Sequence, residues 1–232
     1  MKVQRLRVTF TRGEDLKFIT HLDLMRFWER ALRRAGVPVA YSEGFTPHAQ
    51  ISLAAPLPVG TTGDAELMDV YLDQRLTPRT FVERLKPQLH PAISVPAVRE
   101  VGLALPALQA DVRFAEYDVD VPADGAEGAA EAVARFLAAE SVPWEHRRDD
   151  EVRTYDIRSL VQDIQLRPED SEGELRLWMR LRSDSNGSGR PEQVAAALGL
   201  PQPLRIHRTR LILAERSPAI EAWRKRGRFA GV

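Results

Sequence analysis

Apolar and polar residues alternate over positions 3–11. Leu6, Val8 and Phe10 fall on one side and Arg5, Arg7 and Thr9 on the other, which predicts a strand with one basic face. Thr20, with Asp23 three residues on, reads as a helix N-cap. Leu24, Phe27, Trp28, Ala31, Leu32 and Ala35 then recur at helical spacing until Gly36 and Pro38 end the run. A polar loop over 41–48 leads to a short strand at 51–54, broken by Pro56 and Pro58. Positions 67–73 alternate as a strand, Thr77 and Pro78 open a helix carrying Phe81, Val82, Leu85 and Leu89, and 93–101 reads as a strand. The order is βαββαβ, that of the ferredoxin-like unit, which packs two helices on one face of a four-stranded antiparallel sheet and leaves the other face available.

The pattern lapses over 103–110 and then restarts. Strands are predicted at 114–121, 144–157 with a short helical turn after Asp156, 175–182 and 204–214. Helices are predicted at 126–139 and 191–198, and the SDSNGSG run at 183–189 is a loop. The expectation is an α+β chain of two tandem ferredoxin-like domains, each with a four-stranded antiparallel sheet, at 1–105 and 111–216, followed by a basic tail at 217–232. No residue-level repeat links the halves.

Composition narrows the chemistry. The 232 residues include no Cys, which excludes thiolate metal sites, disulfides, thiol nucleophiles and a cysteine-held iron–sulfur cluster, and fits a cytoplasmic location. Neither a signal-like leader nor an apolar stretch of membrane-spanning length is evident, so the chain is read as neither exported nor inserted. The net charge is zero, yet it divides unevenly. Residues 1–36 carry nine Lys/Arg and four Asp/Glu, residues 205–232 carry eight and two, and the middle is strongly acidic. If the ends meet, they gather a patch able to bind phosphates; otherwise these are ordinary solvated charges.

The stretches FITHLDLMR at 18–26 and SEGFTPH at 42–48 resemble the signatures of the radical-SAM-linked family, a bacterial domain of unknown function found beside, or fused to, a radical SAM protein. The resemblance weakens beyond about residue 105, where it rests on Tyr155, Asp156, Ile157 and Arg158 and on residues 207–211. It implies a partner more than a reaction: a separate radical SAM enzyme acting on RNA, ribosomal or transfer RNA among the candidates, with any radical chemistry in the partner. The tandem βαββαβ pattern is also similar in architecture to RAMP-type RNA-binding proteins, without a motif that aligns residue by residue.

His21, Asp23 and His48 are the one grouping of acid–base types. Asp23 at the third helical position has a structural task in capping, whereas His48 follows Pro47 in a polar loop where function is easier to place. In the binding reading, the N-terminal end of the helix and Ser42, Gly44 and His48 meet a phosphate, Phe45 stacks on a base, and Lys17, His21, Arg26 and Arg30 neutralise the backbone, with Arg5 and Arg7 on the sheet. Arg33 and Arg34 are read as solvent-facing. Arg208 and Arg210 near the end either turn onto the sheet surface through a bulge or pair with the acidic middle. Three functions follow. The leading one is an RNA-binding accessory protein without catalytic residues or cofactor of its own. The second is a metal-independent endoribonuclease or RNA-modifying enzyme using His21 and His48 as base and acid. The third is a protein–protein adaptor for the radical SAM partner that never touches RNA.

Overall fold

The first alternation becomes β1 (Gln4–Arg12). In the computed structural model, which describes residues 1–148, 151–167 and 173–214, it is followed by α1 (His21–Arg34), β2 (Ile51–Leu53), β3 (Thr61–Leu72), α2 (Pro78–Leu85) and β4 (Ala97–Val101). These strands stand in the order β4-β1-β3-β2, and every neighbouring pair is antiparallel. The alternation of β1 sends Leu6, Val8 and Phe10 into a core with Met68, Val70 and Leu72 of β3, closed by Leu24, Trp28 and Leu32 of α1 and Phe81 and Leu85 of α2. Trp28 is fully buried and meets Phe10 edge to face, ring centroids 5.0 Å apart.

A short α3 (Leu108–Asp111) leads into the second half. There follow β5 (Val112–Pro122), α4 (Ala129–Ala138), a hairpin of β6 (Pro143–Arg148) and β7 (Glu151–Asp156), then β8 (Val161–Arg167), β9 (Glu174–Asp184), β10 (Gly187–Ser188), α5 (Pro191–Ala197) and β11 (Arg205–Leu213). Here the order is β8-β9-β5-β11, again antiparallel throughout. Val119, Val121, Leu177, Met179 and Leu181 pack under Val133 and Phe136 of α4 and Val194 and Ala195 of α5.

The two halves share one sheet. β11 pairs in parallel with the start of β3, Ile206 opposite Thr61 and Arg208 opposite Gly63, giving a nine-stranded mixed sheet in the order β10-β9-β5-β11-β3-β1-β4, with β2 on β3 and β8 on β9. One continuous α+β sheet therefore stands where two separate four-stranded sheets were expected. The predicted strand at 144–157 also differs: it folds as the β6-β7 hairpin, a two-stranded sheet of its own, and its place in the main sheet is taken by β8. A register shift between Val161 and Asp163 breaks the alternation of β8, which hides it from a period-two reading. The expected tail at 217–232 lies outside the described residues.

Candidate nucleic-acid interface

Helix α1 begins as its sequence requires. The Thr20 hydroxyl oxygen accepts the Asp23 N–H at 3.2 Å and its O–H donates to the Asp23 carboxylate at 2.7 Å. That hydroxyl bond, together with the nearby Arg26 and Arg30, holds the Asp23 carboxyl below its ordinary value. Asp23 is thus a capping residue, and a carboxylate already occupies the end of the helix where a phosphate was expected. Around it the surface is open: Phe18 is 71% exposed and Leu22 64%, and Val59, also exposed, precedes the Gly60 whose N–H donates to the Lys17 carbonyl. Lys17 lies over the Phe18 ring at 5.2 Å while paired with Glu14 at 2.6 Å. His21, Arg26 and Arg30 are all exposed on α1.

The 41–48 loop is a closed turn. Tyr41 bridges Ala49, the Ser42 N–H donates to the His48 carbonyl at 2.9 Å, and the His48 N–H donates to the Ser42 hydroxyl at 2.9 Å. Ser42 is the clasp of this turn. Gly44 takes φ +123°, where a side chain is strained, and the turn carries Phe45 outward with its ring wholly in solvent. His48 is exposed beside it. Among the described residues no hydrogen bond or ion pair joins His48 to His21. Their segments are anchored at opposite ends of β3, one by Gly60 to Lys17, the other by the Ala40 N–H to the Tyr71 carbonyl, with roughly 30 Å of strand between the anchors. No cluster of three His, Asp or Glu side chains fit for a metal is found among the described residues.

Within the two basic ends, β3 alone separates β1 from β11, but four of the six arginines on these two strands turn inward. Arg5 and Arg7, each 1% exposed, both clasp Asp69, at 2.5 and 2.8 Å, and Arg5 also donates to the carbonyls of Leu105 and Pro106. The connecting segment at 103–106 therefore covers the sheet face that the alternation left basic and open. Arg208 is as buried; it pairs with Glu66 and donates to the Ala55 carbonyl. Burial alone lowers its pKa, but Glu66 and Tyr117 raise it overall. Arg12 lies in the same buried group, bonded to the carbonyls of Pro58 and Thr61, and burial lowers its pKa to about 10 against the opposing pull of Glu66. A register shift between Arg208 and Arg210 puts these two on different sides: Arg208 goes in, and Arg210 reaches solvent while bonding Glu116 at 2.6 Å. The bulge is present, and both arginines meet acidic partners.

A second polar surface escaped the sequence reading. On the face of the second half away from α4 and α5, Asp120 is held by Arg176 at 2.6 Å and Arg205 at 2.7 Å, and Glu116 by Arg180 and Arg210 at 2.6 Å each. Burial opposes ionisation of Glu116 and Asp120, yet these arginine hydrogen bonds hold both carboxyls below their ordinary values. Trp178 faces Asp118 between the two clusters, with Arg180 at 5.1 Å and Arg167 at 5.6 Å from its ring. It stands on the polar face. The signal was present as Arg176, Trp178, Arg180 and Arg182 at period two, and it becomes visible only once the partner strand is known to be acidic at Glu116, Asp118 and Asp120.

Fold and surface together define a mixed α+β protein built on a single large sheet, with exposed aromatic and cationic side chains on its loops and α1. Residues 5–191 match the family described as "Uncharacterized protein conserved in bacteria (DUF2344)", and the chain belongs to that family. No curated protein matches the sequence. Among solved structures, one chain of "Crystal Structure of a Cbf5-Nop10-Gar1 Complex" is similar at 10% identity and TM-score 0.46, over 90% of this chain and 49% of that one. Similar chains occur in "Structure of H/ACA RNP bound to a substrate RNA containing 2'-deoxyuridine" (11%, TM-score 0.43, 90% and 47%) and in "Crystal structure of the archaeal box H/ACA sRNP Nop10-Cbf5 complex" (12%, TM-score 0.43, 98% and 57%). The chain spans about half the length of these three. No helix among the described residues is long and apolar enough to cross a membrane.

Proposed function

We propose that this protein is an RNA-binding accessory protein that presents its substrate to a separate radical SAM enzyme. The observation that carries the RNA reading is the fully exposed Phe45, lifted on a clasped turn from which no core contact would be lost on stacking with a base. Phe18, with the Lys17 ammonium over its ring, and the exposed Arg26 and Arg30 supply the same chemistry on α1. The radical SAM partner rests on the resemblance of residues 18–26 and 42–48. We read the halves at 1–105 and 111–216 as ferredoxin-like units, a reading supported by the β4-β1-β3-β2 and β8-β9-β5-β11 strand orders.

Binding of the purified protein to total RNA at low and moderate salt tests the proposal. Affinity that falls with salt, crosslinks on residues 17–48 and weakened binding by Phe45→Ala with an unchanged melting temperature are expected. Salt-independent binding removes the phosphate contacts from the reading. Discrete cleavage products abolished by His21→Ala/His48→Ala would instead favour the endoribonuclease. The exposed apolar side chains Phe18, Leu22 and Val59 favour the adaptor as the second reading, and a radical SAM partner retained after RNase treatment by a protein that binds no RNA would establish it.

A further inference from the structure

We propose that the open face of β8, β9, β5 and β11, centred on Trp178, is a second binding surface for a single-stranded polynucleotide, RNA on the reading above. It shares no residue with the Phe45 loop. Each of its two carboxylates carries one negative charge against two guanidiniums, so Arg176–Asp120–Arg205 and Arg180–Glu116–Arg210 each retain one unit of positive charge. The anions are sunk and the cations are not: the Glu116 side chain is 4% exposed and Asp120 3%, against 43% for Arg205 and 57% for Arg210. The carboxylates take the Nε edges of Arg205 and Arg210, and among the described residues Nη1 of neither makes a hydrogen bond. The guanidiniums are therefore fixed in place with donors still to give, which lowers the entropic cost of meeting a phosphate.

Between these two cationic clusters, whose carboxylates are four residues apart on β5 or roughly 13 Å, stands an indole flanked by Arg167 and Arg180. Alternating guanidinium planes and an aromatic ring on an open sheet are the means by which proteins stack single-stranded bases while neutralising their phosphates. Asp118 and Asp163 share the face and offset the charge that the two clusters retain, and Glu174 at the same period of β9 offsets Arg167, so short-range stacking and direct phosphate contacts carry the binding and long-range attraction does not. The surface also approaches the Lys17 end of α1, at the end of β3 away from the Phe45 loop: His207 on the same face bonds Thr62 at 2.7 Å, two residues from the Gly60 that is tied to Lys17.

The test uses the full chain and a fluorescein-labelled 20-mer of oligouridine, with the deoxyuridine counterpart as a second arm, titrated across salt concentrations. Trp178→Ala is expected to weaken binding about tenfold while leaving the salt slope unchanged. Arg205→Ala/Arg210→Ala is expected to lower the slope of log affinity on log salt by about 1.4, the loss of two phosphate contacts to a single strand. Trp178→Phe, which keeps an aromatic face, restores most of the affinity, and melting curves of all variants show whether the fold is kept. Equal loss in both arms means that any single strand is bound, and greater loss with the ribose strand assigns the face to RNA. If folded Trp178→Ala and Arg205→Ala/Arg210→Ala bind as the unaltered protein does while Phe45→Ala does not, this proposal is overturned and the first surface stands alone. The reverse pattern keeps the proposal and removes the Phe45 loop.

Discussion

Replacing Asp69 with Asn tests whether the fold depends on its buried charges. Asp69 is fully buried and accepts four hydrogen bonds, from Arg5 Nε at 2.8 Å and Nη2 at 2.5 Å and from Arg7 Nε at 2.8 Å and Nη2 at 3.0 Å. Asn keeps the shape but removes the one anion that, among the described residues, these two buried guanidiniums share. Removing one partner of a buried pair costs about 3–5 kcal/mol, because the charge left behind has lost water without compensation. Two cations are left here, and only Arg5 keeps carbonyl partners, so about 4 kcal/mol is expected. With a urea dependence of about 3 kcal/mol/M, the unfolding midpoint falls by about 1.3 M. A midpoint shift below about 0.3 M, or about 1 kcal/mol, would falsify the buried triad. A companion variant, Arg5→Met/Arg7→Leu/Asp69→Leu, removes all three charges together and is expected to return close to the original midpoint, since a buried ion triad is often no more stabilising than packed apolar side chains.

Other outcomes follow from the same arrangement. Glu116 and Asp120 titrate below their unfolded values of 4.5 and 3.8, so their contribution is complete above those values and is lost as pH falls through the folded ones; the melting temperature should drop on acidification below about pH 4.5, less steeply in Glu116→Gln. Gly63→Ala places a Cβ 2.7 Å from a Glu66 oxygen that Arg208 holds in position, and is expected to cost about 1–3 kcal/mol in chemical denaturation. Thr20→Ala removes the α1 cap and should cost about 1 kcal/mol, with Thr20→Ser close to neutral. Phe45→Ala, at a wholly exposed position, should stay within about 0.5 kcal/mol of the original stability, which separates its binding defect from any loss of fold.

Much of the architecture was legible in local pattern. The α1 cap, the core stripe through Trp28 and the alternation of β1 and β9 depend on neighbours in sequence, and these form close to where they are predicted. The start of β3 was illegible because Thr61, Thr62, Gly63 and Glu66 are polar or small residues buried against arginines from elsewhere in the chain, so no hydrophobic period marks them. The surface chemistry failed for the same reason. An arginine on an alternating strand reads as solvent-facing, and only the Asp69 opposite Arg7, or the Glu66 that meets Arg208, decides that it faces inward. Arg26, Phe45 and His48 remained exposed, and Lys17 half-buried, because their loop and helix have no strand partner to cover them.

The parallel pairing of β11 with β3 also bears on how the protein comes into being. β11 is the last strand of the sheet among the described residues, yet it sits in the middle, satisfying Thr61–Gly63 of β3 on one side and nearly the whole of β5 on the other. Until residues 205–213 emerge from the ribosome, both of those strands present open edges, and the nascent chain passes through an interval in which each half can pair with another copy or be cut by a protease. Arg208, once seated against Glu66, closes that interval with a contact 142 residues apart in sequence, so weakening it should lower the yield of folded protein in the cell as well as the stability of molecules that have already folded.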